Sequence, residues 1–255
     1  MNSIQELFQK KNKNLLSIYF TCGYPKLDDT TKVITELEKS GVDFIEVGLP
    51  YSDPLADGPT IQDSSQKALE NGINLDLIFD QLMTVKETNK TPLVLMGYLN
   101  QMLKYGEDKF CQKVVDCGID TVILPDLPMV EFENHYKALF EKYGITNVFL
   151  ITPHTSDERI IKIDSYSKAF IYVVASASIT GAKGDISNNQ VAYFERIKNM
   201  NLQSNLIIGF GISDKQTFTT ACKYANGTII GSAFIKNLGK NGIDKIDDFI
   251  KPIIS

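Results

Sequence analysis

Two acidic residues frame the chemistry available to this chain. Glu46 lies inside the otherwise apolar run "DFIEVG", and Asp57 follows in "LPYSDPLADGPTIQ", a loop stiffened by Pro50, Pro54 and Pro59. A carboxyl within a strand that faces a core loses hydration unless a cation is beside it. None of the chain's β-branched runs contains a Lys or Arg. An unpaired, partly desolvated Glu has a raised pKa, which suits general acid/base work near neutrality. The alternative for Glu46 is a buried ion pair that only fixes packing. Asp57 is harder to judge locally, because an acidic residue just before a helix opening at Pro59 is favoured anyway. Asp53, in "SDP", reads as a turn former.

Further candidates come later in the chain. Tyr172, in "AFIYVVAS", is either a substrate contact or a core tyrosine with its hydroxyl bonded to backbone. Gly211, Gly231 and Ser232 end two consecutive strand runs, "NLIIGFG" and "GTIIGS", with a helix starting at or just after Ser232. Glycines let backbone N–H groups approach a ligand, and a helix N-terminus favours an anion such as phosphate. The alternative is that these glycines only ease tight turns. Residues 176–190, "SASITGAKGDISNNQ", read as either a lid or an ordinary flexible loop.

Other chemistries are excluded by what is missing. The histidines, His135 and His154, form no H-x-H or H-E-x-x-H motif, which removes a zinc aldolase site. No strand run ends in a Lys for Schiff-base chemistry, and no G-x-S-x-G is present. What remains is cofactor-free proton transfer on a small phosphorylated substrate.

The elements that must position these groups alternate along the chain. Short runs, "LLSIYFTC", "DFIEVG", "PLVLMGY", "TVILPD", "NVFLIT", "AFIYVVAS", "NLIIGFG" and "GTIIGS", are separated by amphipathic segments such as "LDDTTKVITELEKSG" and "EFENHYKALFEKYG". Eight strands with a helix after each predict an α/β (β/α)₈ TIM barrel, one domain over residues 1–255, with an extra helix near Ser3–Lys10 closing the bottom. A doubly wound sheet is the rival, but no G-x-G-x-x-G follows the first run. Strand alternation then points Phe44 and Glu46 into the barrel, with Glu46 near the C-terminal end where barrel enzymes place their chemistry. The loop from Leu49 to Pro59 lies on that same face.

Composition sets the outer bounds. With 255 residues, 43% hydrophobic, 22% charged and a net charge of −5, the chain has ordinary globular content and no basic surface for nucleic acid. It has no membrane-length apolar run and no signal-peptide core, so a cytoplasmic protein is expected. Cys22, Cys111, Cys117 and Cys222 are scattered through hydrophobic patterns and read as small reduced core residues.

"EVGLPYSDPLADGPTIQ" resembles the signature of the tryptophan synthase α-subunit family, and "YFTCGYP", "MGYLN", "LPDLP", "ITGAKG", "GFGIS" and "IIGSAFIK" follow in that family's order. The resemblance implies a (β/α)₈ barrel that cleaves indole-3-glycerol phosphate to indole and glyceraldehyde 3-phosphate. It implies no cofactor on this chain and a β-subunit partner carrying pyridoxal phosphate, in an α₂β₂ complex. Carried over, Glu46 is the acid/base and Asp57 the acceptor of the indole N–H. Tyr172 lines the substrate site, and Tyr19, Met96 and Phe210 enclose the indole. Gly181, Gly211, Gly231 and Ser232 contact phosphate, and Thr180 is the lid residue that meets Asp57. Pro50, Asp53, Asn100 and Pro128 are expected to be exposed toward the partner. The chain departs from the family's S-R-x-G-V pattern, reading Ala175-Ser176-Ala177-Ser178-Ile179, so weaker lid closure is expected. Competing readings are a stand-alone lyase releasing indole, an activating subunit with vestigial catalysis, and another phosphate-binding barrel. The last would lack the "SDPLADGP" loop.

Overall fold

The computed structural model describes residues 1–175, 188–209 and 211–255. Eight parallel strands close into a barrel in chain order: β1 Leu15–Thr21, β2 Phe44–Gly48, β3 Leu93–Met96, β4 Thr121–Ile123, β5 Thr146–Ile151, β6 Ile171–Val174, β7 Leu206–Gly209 and β8 Gly227–Ile230. Each corresponds to one of the β-branched runs. Parallel strands need long crossovers, and the helices that supply them cover the outside of the barrel. The expected count of one helix per strand is exceeded. Pro59–Glu70 and Leu75–Val85 both follow β2, Leu99–Tyr105 and Glu107–Asp116 follow β3, and Ser232–Asn241 and Ile246–Ile254 follow β8. Among the described residues, no helix is long and apolar enough to cross a membrane.

Register decides which side chains share the interior, because partners in parallel strands point the same way. Ser17 is level with Phe44 and with Ile229, while Tyr19 is level with Glu46, and Glu46 with Val94. On the far side Leu150, Tyr172 and Ile207 are level with one another. The lower interior is packed by rings, with Phe44 and Phe170 centroids 5.6 Å apart. The upper interior carries Tyr19, Glu46, Met96 and Tyr172. A packed floor below and polar groups above is what a barrel with a site at its strands' C-terminal end requires.

The N-terminal helix Ser3–Lys10 closes the bottom. Ile4 and Phe8, one turn apart, are its buried residues, and Asn2 and Gln5 form a capping box at its start. Asn2 Nδ2 donates to Thr146 Oγ1 at 2.9 Å, and Ser3 N donates to Asp120 Oδ2 at 2.6 Å, which fastens the helix to the starts of β5 and β4. Cys22, Cys111 and Cys117 are buried, Cys222 is half-buried, and all four thiols are free.

Candidate active site

Glu46 enters the barrel because β2 alternates, with Ile45 and Val47 facing the helices. It is 1% exposed, and among the described residues its Oε2 has no hydrogen-bond partner. Burial, with the nearby Asp57 charge as a smaller contribution, pushes the Glu46 carboxyl up to about 8. A carboxyl in that range is protonated at neutral pH and gives its proton up readily. Tyr19 and Tyr172, on either side of the barrel, are buried and feel both Glu46 and Asp57. Burial, the largest cause, keeps both phenols neutral.

Room for the two rings comes from glycines one strand away. A Cβ at Gly48 would stand 2.3 Å from Tyr19 Oη, and one at Gly209 would stand 2.1 Å from Tyr172 Oη. Both glycines occupy the inward position at the end of their strand, so any side chain there would evict a tyrosine.

Asp57 is brought to the same mouth by the β2 loop. Pro59 opens the helix Pro59–Glu70 after the N-cap Gly58, and Gln62 Nε2 donates to the Asp57 carbonyl at 2.8 Å. Tyr98 Oη donates to Asp57 Oδ2 at 2.8 Å and accepts Ala56 N–H at 3.1 Å. Burial raises the Asp57 carboxyl above its usual range, and the Tyr98 bond opposes that rise.

Met96 ends β3 level with Gly48. Gly231 is the N-cap of the helix Ser232–Asn241, whose first turn has no side-chain cap. A Cβ on Gly231 would lie 3.5 Å from Tyr19 Cβ and 3.6 Å from Ile61 Cδ1, so this helix start borders the tyrosine pocket. These are ordinary contacts, and its φ of −112° suits any residue. The neighbouring atoms therefore do not require glycine at 231. Gly211, at φ +80°, does require it. Thr180, Gly181 and Phe210 lie outside the described residues, as does most of the 176–190 segment; residues 188–190 already belong to the helix Asn188–Asn199.

Of the residues expected to face a partner, Asp53, Asn100 and Pro128 are exposed at the ends of neighbouring βα connections. Pro50 corrects the expectation. It is buried, and its carbonyl accepts from Gln101 Nε2 at 2.8 Å. The loop folds back on the first turn after β3 before it reaches solvent.

Sequence reasoning missed Tyr98, Gly48 and Gly209. For Tyr98 a signal existed: continuing the parity of Val94 and Met96 past the end of β3 places it on the interior side of the mouth. The glycines gave no signal, because their role depends on a ring from the adjacent strand.

A closed (β/α)₈ barrel with a neutral-range carboxyl and a second carboxylate at the C-terminal end of its strands defines a barrel enzyme of the acid/base class. A profile of the family described as tryptophan synthase alpha chain matches residues 5–252. The tryptophan synthase alpha chain of Flavobacterium johnsoniae is 57% identical over 253 residues, covering 99% of this chain and 100% of that one. A crystal structure of tryptophan synthase subunit alpha from Legionella pneumophila superposes with a TM-score of 0.89 at 30% identity, covering 100% of this chain and 97% of that one. A tryptophan synthase complex from Pyrococcus furiosus gives a TM-score of 0.87 at 29% identity, over 96% of this chain and 99% of that one. The chain belongs to the tryptophan synthase alpha chain family.

Proposed function

We infer that this chain performs the α reaction of tryptophan synthase, a carbon–carbon lyase step in tryptophan biosynthesis. It cleaves indole-3-glycerol phosphate to indole and glyceraldehyde 3-phosphate. The observation that carries the catalytic assignment is the buried Glu46 carboxyl, with one oxygen unpartnered among the described residues, beside a second carboxylate at the mouth of the barrel.

The proton balance follows from these groups. Glu46, protonated at neutral pH, gives its proton to indole C3. The positive charge that develops on the ring is held through the indole N–H by the Asp57 carboxylate. The Glu46 carboxylate then takes the proton of the glycerol hydroxyl next to the ring. The C–C bond breaks, its electron pair returns to the indole, and the hydroxyl carbon becomes the aldehyde. Glu46 ends protonated as it began. Only protons and one C–C bond change hands, so the chain needs no cofactor of its own. Acid/base assistance of this kind contributes ~10²–10⁴-fold.

Tyr19, Met96 and Tyr172 form the walls against the indole, with Phe210 and Thr180 added by the family pattern. The phosphate sits on backbone N–H groups at Gly211, Gly231 and Ser232, with Gly181 from the family pattern. A glycine at 231 that its own surroundings do not require supports close approach of a ligand there. A pyridoxal-phosphate β subunit, in an α₂β₂ assembly, takes the indole, docking over Asp53, Asn100 and Pro128. The occurrence of the Pyrococcus furiosus relative as a tryptophan synthase complex supports a partner. Cytoplasmic location fits a pathway enzyme of this kind.

The test is indole release from indole-3-glycerol phosphate, with and without a cognate β subunit. Release that rises at least ~10-fold with the partner, a lowering of the barrier by ~1.4 kcal/mol, fits this reading. Full activity from the chain alone would make it a stand-alone lyase.

A further inference from the structure

The Tyr98 hydroxyl makes contacts that loop packing alone does not require. We propose that Tyr98 is a positioning residue, which fixes the Asp57 carboxylate in one orientation and holds it as the anion that the indole N–H needs. This rests on the role assigned above to Asp57 and adds the residue that makes that role possible.

Tyr98 is held from several directions. It is 3% exposed, and its ring stacks on Tyr51 with centroids 4.9 Å apart and planes 28° from parallel. Tyr51 is itself held, because its Oη accepts from Asn100 Nδ2 at 3.0 Å. The Tyr98 backbone N–H donates to Gln101 Oε1 at 2.9 Å, while Gln101 Nε2 reaches Pro50 O at 2.8 Å. The next residue, Leu99, donates its N–H to Asp126 Oδ1 at 2.9 Å. Connections after β2, β3 and β4 are therefore tied together around this one ring, which is held in place beside Asp57.

The bonds at the hydroxyl set its polarity. A phenol has one hydrogen to donate, and Tyr98 directs it at Asp57 Oδ2 while Ala56 N–H occupies a lone pair. A phenol is a far weaker acid than a carboxylic acid, so the hydrogen stays on Tyr98. The bond is charge-assisted only while Asp57 is ionised. Among the described residues, no cation does this work. The charged or titratable groups acting on Asp57 and Tyr98 are Tyr19 from β1, Glu46 from β2, Tyr172 from β6 and Asp126 after β4. All are acidic or phenolic, and burial at this site disfavours an anion. Among them, the Tyr98 hydroxyl is the group that favours ionised Asp57.

The experiment is the pH profile of indole release by the full chain with its β subunit, for wild type, Tyr98→Phe and Asp57→Asn. Phe keeps the stacked ring and removes only the hydroxyl. Activity requires ionised Asp57 and protonated Glu46, so the acid limb follows Asp57 and the basic limb follows Glu46. Tyr98→Phe should move the acid limb upward by about one pH unit, a ~10-fold loss on that limb, and leave the basic limb in place. A uniform loss across pH, or no change, overturns the proposal, since a mere strut would give one or the other. Incorporating 3-fluorotyrosine at position 98 gives a second measurement should Tyr98→Phe fail to fold. Its stronger donor should move the acid limb downward, and an unmoved limb overturns the proposal equally. If Asp57→Asn keeps wild-type activity, the role of Asp57 fails, and that of Tyr98 with it. If Asp57→Asn is inactive while the acid limb of Tyr98→Phe stays put, only Tyr98 is wrong.

Discussion

The two ends of this barrel use the same side chains in opposite ways. At the floor, Asp120, Asp43, Asp164 and Asn226 are engaged in bonds that hold the chain together. Asp120 accepts from Ser3 N, Ser3 Oγ and Thr121 Oγ1 at 2.6, 2.8 and 2.8 Å. Asp43 accepts from Leu16 N and Lys11 Nζ, both at 2.8 Å, and Asp164 accepts from Gln203 N and Ser204 N at 2.9 and 2.8 Å. Asn226 bridges Leu206 N and Asn12 O, both at 2.8 Å. At the mouth, Glu46 is buried with an oxygen that has no partner among the described residues, and the Asp57 carboxylate has a phenol for a partner. A satisfied carboxylate is structural because its protons and charge are already committed. An unsatisfied one costs stability, and its unmet bonding capacity is what a substrate uses.

The comparison is broken most directly at Glu46. Glu46→Gln keeps the shape and removes titration, so turnover should fall at least ~10²-fold with substrate binding retained. Stability should move the other way. As pH rises from about 4.5 to about 8, the unfolded chain ionises Glu46 and the folded chain does not, so wild-type stability is lost progressively over that window. Gln suffers no such loss. Denaturant unfolding should therefore find the variant more stable by on the order of 5 kcal/mol above pH 8, and no more stable below pH 4. A mouth built for stability would give the reverse result.

Asp57→Asn should come next, lowering turnover by roughly 10²-fold while unfolding free energy stays within about 1 kcal/mol, since the amide has similar volume in a half-buried loop. Retained cleavage of an N-methylated indole substrate at the normal rate would contradict its role toward the N–H. At the floor, Asp120→Ala should cost ~1–3 kcal/mol of stability, because it strips the partner from the Ser3 backbone and from two hydroxyls. Its kcat should match wild type at temperatures where both are folded; a large fall would mean that the two ends are coupled. The smallest effect is expected at Gly231→Ala. The added methyl meets only ordinary contacts, so folding should hold, while KM for the phosphorylated substrate rises several-fold, about 1 kcal/mol. An unchanged KM would remove the phosphate from that helix start.

How much of this was legible beforehand depends on the range of the interaction involved. All eight strands were visible as β-branched runs. The inward direction of Glu46 followed from strand parity, and the helix starts at Pro59 and Ser232 followed from local rules. The identity of the family rested on a contiguous motif around the same two carboxylates. Besides the roles of Gly48 and Gly209, three things were not legible. The doubled helices after β2, β3 and β8 share turns too short to separate by periodicity. Pro50 was expected outside, and it is buried, with its carbonyl bonded to a glutamine from the next connection. The Tyr98–Asp57 bond spans 41 residues of sequence and exists because β2 and β3 are neighbours in register.

The sequence by itself determined the alternation, the strand faces and the helix ends, because each is settled by steric and hydrogen-bonding preferences within a few residues. Barrel closure decided what meets above those strands. It laid Tyr19 across Gly48 and Tyr172 across Gly209, withdrew water from Glu46, and brought a phenol from one connection to the carboxylate of another. Those outcomes depend on register and on distance through space, which a local pattern does not encode. Burial beside a second carboxylate is what turns Glu46 into an acid/base group.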